Sequence, residues 1–288
     1  LQQEAQVCVG VRDSKGTPVV GLHERDFRIT GGSKGIAITR LTRAWSAPLT
    51  VGLMLQWSGL RSREMPYAEL RPSQLFLRAI LKNGDAGFVM LFAQEMLTRS
   101  RVTDSAAYLS RYLEQARGLP LWGPSALYDW MAEESRVEKD AGKQGCRALV
   151  IVADGHDNAS RRSMQKAVQA CLRARTIVYF ISLAAVDWSV GVGGRTNLAE
   201  DATWIAHQTG GAALFVHKKA DFTDAYAWVA RDLTDRYLLR FDQETRGRKS
   251  QFRHLKLTVG HSGLRVEAPA GYFTRAGTQA AANRNGKG

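Results

Sequence analysis

The stretch Thr50-Val51-Gly52-Leu53-Met54-Leu55-Gln56-Trp57-Ser58-Gly59-Leu60 decides the fold. A nearly continuous apolar run stops in a polar Ser-Gly loop. Such a run reads as a strand covered on both faces, the habit of a parallel sheet. Similar runs recur at 87–92, 148–153, 177–183 and 213–216. Helical periodicity lies between them, near 64–82, 104–117, 125–140, 161–175 and 198–209. A last helix near 221–235 sets Phe222, Tyr226, Val229 and Leu233 on one face. Strands alternating with helices predict an α/β domain over residues 46–235, built on a doubly wound, mostly parallel sheet flanked by helices. Residues 96–102 read as a short antiparallel edge strand. Pro72 is expected to break or restart the first helix.

Outward from this core both ends are β-like. Residues 6–45 alternate short apolar runs with the turns Asp13-Ser14-Lys15-Gly16 and Gly31-Gly32-Ser33-Lys34-Gly35. Residues 237–241, 255–259 and 264–267 are strand-like, with a hairpin turn at His261-Ser262-Gly263. Neither segment is long enough to stand alone, so 6–45 and 236–273 are expected to join as one β-rich accessory unit. Residues 274–288 lack periodicity and are expected to be a disordered tail.

With 288 residues, 44% of them hydrophobic, the chain can bury a sizeable core. Its apolar runs are far too short for a membrane span, so a soluble chain is expected. It starts at Leu1 without Met, which reads like the remainder after signal-peptide cleavage and suggests a secreted or periplasmic protein. The net charge is +13, which fits either a solubilising surface or an acidic partner. Cys8, Cys146 and Cys171 carry no Cys-x-x-Cys spacing. Buried free thiols are expected, with a Cys146–Cys171 bridge as the oxidised alternative.

Catalytic patterns fail one by one. Ser58 is not in a Gly-x-Ser-x-Gly elbow, because Gln56 holds the leading Gly position. Asp154-Gly155-His156-Asp157-Asn158 lacks calcium-loop spacing, and Asp157, Asn158 and Ser160 are expected as turn and cap residues. Gly191-Val192-Gly193-Gly194-Arg195 is not followed by Gly-Lys-Ser/Thr and reads as a mobile loop rather than a phosphate loop. The six His show no metal-ligand spacing. No enzyme is expected. Two basic stretches stand apart. The helix 161–175 carries Arg161, Arg162, Lys166, Arg173 and Arg175 without an acidic residue. The loop 240–256 carries Arg246, Arg248, Lys249 and Arg253. Both read either as solvated faces or as a surface for a polyanion such as nucleic acid or an anionic surface.

Several motifs then align. The strand ending at Ser58-Gly59 is followed by Asp85-Ala86-Gly87-Phe88-Val89-Met90-Leu91-Phe92, Gly123-Pro124-Ser125-Ala126-Leu127-Tyr128-Asp129 and Ala148-Leu149-Val150-Ile151-Val152-Ala153-Asp154-Gly155. Together they resemble the von Willebrand factor A fold. The opening Val9-Gly10-Val11-Arg12-Asp13, Gly16-Thr17-Pro18-Val19-Val20-Gly21-Leu22 and Asp26-Phe27, with the closing Gly271-Tyr272-Phe273, are similar to a bacterial "VWFA-related" group described from Acidobacteria. The likeness spans residues 6–273.

That resemblance implies a non-catalytic adhesion or protein-interaction module and a Mg²⁺ site at the carboxyl ends of the strands. Carried across residue by residue, Gln56 stands for the first Asp and Leu60 for the second Ser. Ser58 matches the first Ser, Ser125 replaces a Thr, and Asp154 matches the later Asp. One carboxylate and two hydroxyls make a poor cage for a cation that gives up water reluctantly. No tightly bound cofactor is expected; Mg²⁺ on Ser58, Ser125 and Asp154 is the one candidate. Arg61 and Arg63, or Arg161 and Arg162, read either as solvated residues at helix starts or as taking over the cation's role, pairing Asp154 or meeting an acidic partner. The expected partner-binding residues are Gln56, Trp57, Ser58, Arg61, Ser125 and Asp154. Trp57 is equally open to being an anchor or to packing beneath the loop. The reading is a protein-interaction module, with polyanion binding as its alternative.

Overall fold

A computed structural model describes residues 4–31, 34–58, 65–82, 84–121, 123–140, 145–182, 198–218, 220–243 and 250–274. Four strands open the chain: β1 (Glu4–Arg12), β2 (Phe27–Gly31), β3 (Lys34–Ile36) and β4 (Ile38–Arg43). The α/β part follows as β5 (Leu49–Gln56), α1 (Met65–Ile80), β6 (Ala86–Phe92), β7 (Met96–Arg99), α2 (Ala106–Glu114), α3 (Leu127–Asp140), β8 (Cys146–Ala153), α4 (Met164–Ala174), β9 (Thr176–Ser182), α5 (Leu198–Thr209), β10 (Ala213–Phe215) and α6 (Asp221–Thr234). Then come β11 (Tyr237–Asp242), β12 (Phe252–His254), β13 (Lys256–Val259), β14 (Arg265–Glu267) and β15 (Gly271–Phe273).

The central sheet has six strands in the order β10-β9-β8-β5-β6-β7. All neighbours are parallel except β7, which runs antiparallel to β6. Alternate residues of each strand serve opposite layers, as the period-2 geometry of a strand requires. Val51, Leu53 and Leu55 pack with Leu70, Phe76, Leu77, Leu109, Phe222 and Tyr226, from α1, α2 and α6. Met54, Leu149, Ile151 and Phe180 pack with Leu127, Met131, Val168, Leu172 and Ile205, from α3, α4 and α5. Burial on both sides is why these strands read as unbroken apolar runs. Gly52 has a packing reason: a Cβ there would sit 2.4 Å from Phe88 Cζ and 2.6 Å from Leu149 Cδ2.

The two ends of the chain meet. β1, β4, β11 and β14 form one antiparallel sheet in the order β14-β1-β11-β4; β2, β3 and β13 form a second, and β12 pairs with β15. Val7, Val9, Val11, Phe27, Ile29, Tyr237, Leu239, Phe241 and Tyr272 fill the core between them.

Several expectations need correction. The helix α1 runs through Pro72 without a break, held by its packed apolar residues Leu70, Phe76, Leu77 and Ile80. Helix α4 begins at Met164, where Ser163 caps it by accepting from Lys166 N, so Arg161 and Arg162 precede the helix rather than lying on it. Arg175 ends it in the left-handed region at φ 62°. The disulfide joins Cys8 to Cys146, while Cys171 is a buried free thiol. A Cys146–Cys171 bridge is ruled out by the sheet itself: Cys146 belongs to the α1/α2/α6 layer and Cys171 to the α3/α4/α5 layer. Thr274, assigned to the tail, is buried and exchanges hydrogen bonds with Gln251. The rest of the tail and the Gly191–Arg195 loop lie outside the described residues.

Candidate functional site at the sheet apex

Strand order reverses at β5, which has β6 on one side and β8 on the other. Open α/β sheets hold ligands beyond the carboxyl ends of strands at such a switch point. Here the site is made by the end of β5, the segment before α3 and the loop after β8.

Gln56 closes β5 and is fully buried. Its Oε1 accepts from Asp154 N at 3.0 Å, and its Nε2 donates to Ser58 Oγ at 2.9 Å. A backbone N–H can only donate, so this pattern fixes which end of the amide points where. One side chain thus bridges the loops after β5 and β8. Ser58 and Ser125 are also fully buried, and Ser125 Oγ has no hydrogen-bond partner. Asp154 Oδ1 accepts from His156 N at 2.9 Å and faces His156 Nδ1 at 3.5 Å. The hydrogen bond the ring donates to the Asp154 carboxylate raises the His156 pKa above its ordinary value, against the opposing effect of partial burial.

The loop after β8 is clamped to the start of α3. Ser125 N donates to Asn158 Oδ1 at 2.7 Å, Tyr128 N to Asp157 Oδ2 at 2.7 Å, and Asp129 N to Ser160 Oγ at 2.9 Å. In return Asp129 accepts from Arg161 N and Arg162 N. Asp157, Asn158 and Ser160 are therefore cap residues, but for α3, reached across the fold. A carboxylate there also suits the positive end of the helix dipole. Burial, then the charges of Asp201 and Asp157, push the Tyr128 phenol up to about 12.

The sequence expectations fare unevenly. Gln56 joins Ser58 and Asp154 directly, while Ser125 is tied to the loop after β8 through Asn158 and Ala159; Gln56, Ser58 and Ser125 are buried rather than part of a contact surface. Trp57 is fully buried, its Nε1 donating to the Leu119 carbonyl at 3.2 Å, so it is not an exposed anchor. Tyr67 of α1 stacks edge-on against it at 5.5 Å and is itself 37% exposed. Arg162 pairs with Asp129 at 3.2 Å and Glu133 at 3.9 Å, so its charge is spent away from Asp154. Among the described residues His156, whose side chain is 42% exposed, places a basic group on Asp154. Arg61, Arg63 and Leu60 lie outside the described residues. Sequence reasoning missed His156 and Tyr67 as rim residues. The first has a signal, two residues from Asp154 in a turn; the second has none, since its place depends on where Trp57 goes.

These donors do not fit a Mg²⁺ cage. Where a hard cation needs an anionic oxygen, Gln56 brings a neutral amide already turned to Asp154 N and Ser58. Asp154 Oδ1 is turned to His156, and the buried Ser125 hydroxyl, which has no partner among the described residues, is a neutral oxygen. Among the described residues no group of three or more His, Cys, Asp or Glu side chains is placed to hold a metal.

Solved structures share this fold. A von Willebrand factor type A protein from Catenulispora acidiphila aligns with 94% of this chain and 73% of its own, at 11% identity and TM-score 0.50. The von Willebrand factor domain of the type V pilus tip protein Mfa5 from Porphyromonas gingivalis aligns with 64% of this chain and 94% of its own, at 10% identity and TM-score 0.50. The pilus adhesin SpaC from Lactobacillus rhamnosus GG, in its open conformation, aligns with 86% of this chain and 47% of its own, at 9% identity and TM-score 0.51. Identities this low show the fold alone. No family model matches the sequence, and no curated protein matches it.

Proposed function

We propose that this von Willebrand factor A fold is a non-enzymatic protein-interaction or adhesion module that meets its partner at the sheet apex without a tightly bound metal. The observation that carries this reading is the Gln56 amide, which joins Ser58 to the Asp154 backbone. It ties two apical loops together by hydrogen bonds, a task a cation performs in a carboxylate-rich site. The partner would then meet the rim, Asp154, His156 and Tyr67, above the buried floor of Gln56, Trp57, Ser58 and Ser125, with Arg61 beside it in sequence. A protonated His156 suits a partner carboxylate. Ser58 Oγ is buried and bonded to an amide rather than to a histidine, which supports the non-catalytic reading. The Cys8–Cys146 disulfide supports a secreted or periplasmic setting, since such bonds persist in oxidising compartments. No helix among the described residues is long and apolar enough to cross a membrane. The opening and closing motifs support placement with the VWFA-related group.

Calorimetric titration with Mg²⁺, Mn²⁺ and Ca²⁺ tests the reading, alongside a Gln56→Asp/Leu60→Ser variant. The variant is expected to bind and the unmodified protein to give no heat. A photo-crosslinker at His156 is expected to capture a partner that one at exposed Ala227 on α6 does not. Tight Mg²⁺ binding by the unmodified protein sinks the metal-free reading. Equal capture at both positions sinks the apex.

A further inference from the structure

We propose that the flank formed by α4 and the β12–β15 ribbon binds a linear, soluble polyanion, a sulfate- or phosphate-bearing polymer chain, at a site separate from the apex. Residues far apart in sequence converge here. The Arg173 guanidinium lies 3.8 Å over the Phe273 ring. Phe273 is directly opposite Phe252 across the ribbon, with ring centroids 5.2 Å apart, and Phe252 stands edge-on to His254 at 5.0 Å. One continuous surface therefore runs from the helix onto the C-terminal ribbon.

On α4, Lys166, Gln169 and Arg173 are spaced i, i+3, i+7 and are all exposed. The helix has no acidic residue, and Lys166 and Arg173 make no ion pair among the described residues. Arg162, by contrast, spends its charge on Asp129 and Glu133. Stacking on Phe273 holds the Arg173 guanidinium in place before any ligand arrives, which lowers the entropy lost on binding. The ribbon's register corrects the expectation for the second basic stretch. Arg253 is paired with Tyr272 and lies on the opposite ribbon face, so His254 is the residue that joins the α4 side. Arg246, Arg248 and Lys249 are outside the described residues.

The chemistry selects among anions. Among the described residues none of the exposed large hydrophobic side chains lies on α4, β12 or β15, which argues for a soluble chain over a bilayer as the ligand. Phe273 is already engaged by Arg173 and Phe252, so its ring is not a free platform for stacking a nucleobase. What is offered is preset positive charge alone, which fits the backbone charges of a flexible polymer. The overall +13 would draw such a chain in, and the flank would seat it.

Fluorescein-labelled heparin, titrated at several salt concentrations, tests this. The unmodified protein is expected to bind with an affinity that falls steeply with salt. Lys166→Glu/Arg173→Glu is expected to weaken binding by about tenfold or more and to flatten the log–log salt slope by roughly two contacts' worth. Arg71→Glu/Arg78→Glu, an equal charge change on the exposed face of α1, is expected to change affinity less than about threefold, the residue of general attraction. Lys166→Gln/Arg173→Gln serves as the milder pair if the double reversal does not fold. Equal losses from both faces would show general attraction to a basic protein and overturn the site. So would absence of heparin binding, or binding only to phosphatidylglycerol vesicles. His156→Ala is expected to leave heparin affinity unchanged, so this result and the fate of the apex reading are read independently.

Discussion

At position 56 a neutral amide reaches both Ser58 and the Asp154 backbone, and the neighbouring Trp57 is turned inward against Tyr67 and the Leu119 carbonyl. The absence of a carboxylate at 56 is legible from the sequence. The span of the amide to Asp154 is not, because ninety-eight residues separate them and only the β5–β8 pairing brings them together. The same holds for His156. Its pKa is raised by the Asp154 hydrogen bond, so the bond favours the protonated ring. The folded value lies above the unfolded one. The associated stabilisation is therefore fully present below the unfolded pKa, near 6.5, and is lost as pH rises through the folded pKa. With the ring part-exposed the effect on stability is small, but the titration is visible. In Asp154→Asn the His156 midpoint, followed by NMR, is expected to move down; an unchanged midpoint would disprove the pairing.

Among the elements, the boundary of α4 and the disulfide show where local pattern stops being informative. A basic run from 161 to 175 reads as one helix, yet Ser163 is the cap and the residues before it are held by Asp129 from α3. Three cysteines allow several pairings, and sheet faces choose between them: β1 lies against the amino end of β8 on the same side of the sheet as Cys146. The Cys8–Cys146 bridge closes a span of 138 residues. Restricting so long a loop in the unfolded chain stabilises by about 4–5 kcal/mol in the chain-entropy picture. Urea unfolding of Cys8→Ser/Cys146→Ser is expected to show a loss of that order, with m rising as the unfolded chain opens. Without reductant, denatured protein should take up alkylating agent at Cys171 alone. Two further reactive thiols would refute the bridge.

Across the whole molecule, a buried ionic cluster ties the antiparallel sheet of β14, β1, β11 and β4 to α6 and the central sheet. Arg12 of β1 pairs with Asp232 of α6 and, at 3.0 Å, with Glu267 of β14. Arg236 pairs with Asp232 at 2.7 Å, and the Tyr179 hydroxyl of β9 donates to the same carboxylate. Arg12 also lies 4.3 Å over the Trp228 ring. Burial drives the Tyr179 phenol well above its ordinary pKa, so it stays a neutral donor. Removing Asp232 would leave two buried guanidinium groups short of their shared anion, which typically costs about 3–5 kcal/mol. Asp232→Ala is expected to lower thermal stability accordingly, and a loss under 1 kcal/mol would mean the cluster contributes little.

Taken alone, the order of apolar runs and helical stretches determined the doubly wound sheet, because burial on both faces writes itself into a strand as continuous hydrophobicity. It also determined that position 56 lacks the charge a cation would need. Tertiary structure decided which cysteines meet, that Trp57 goes inside while Tyr67 and His156 face out, and that α4 shares a surface with the C-terminal ribbon. Those outcomes rest on which face of a strand or helix meets which neighbour across tens to hundreds of residues, and contacts of that range leave no period in the local sequence.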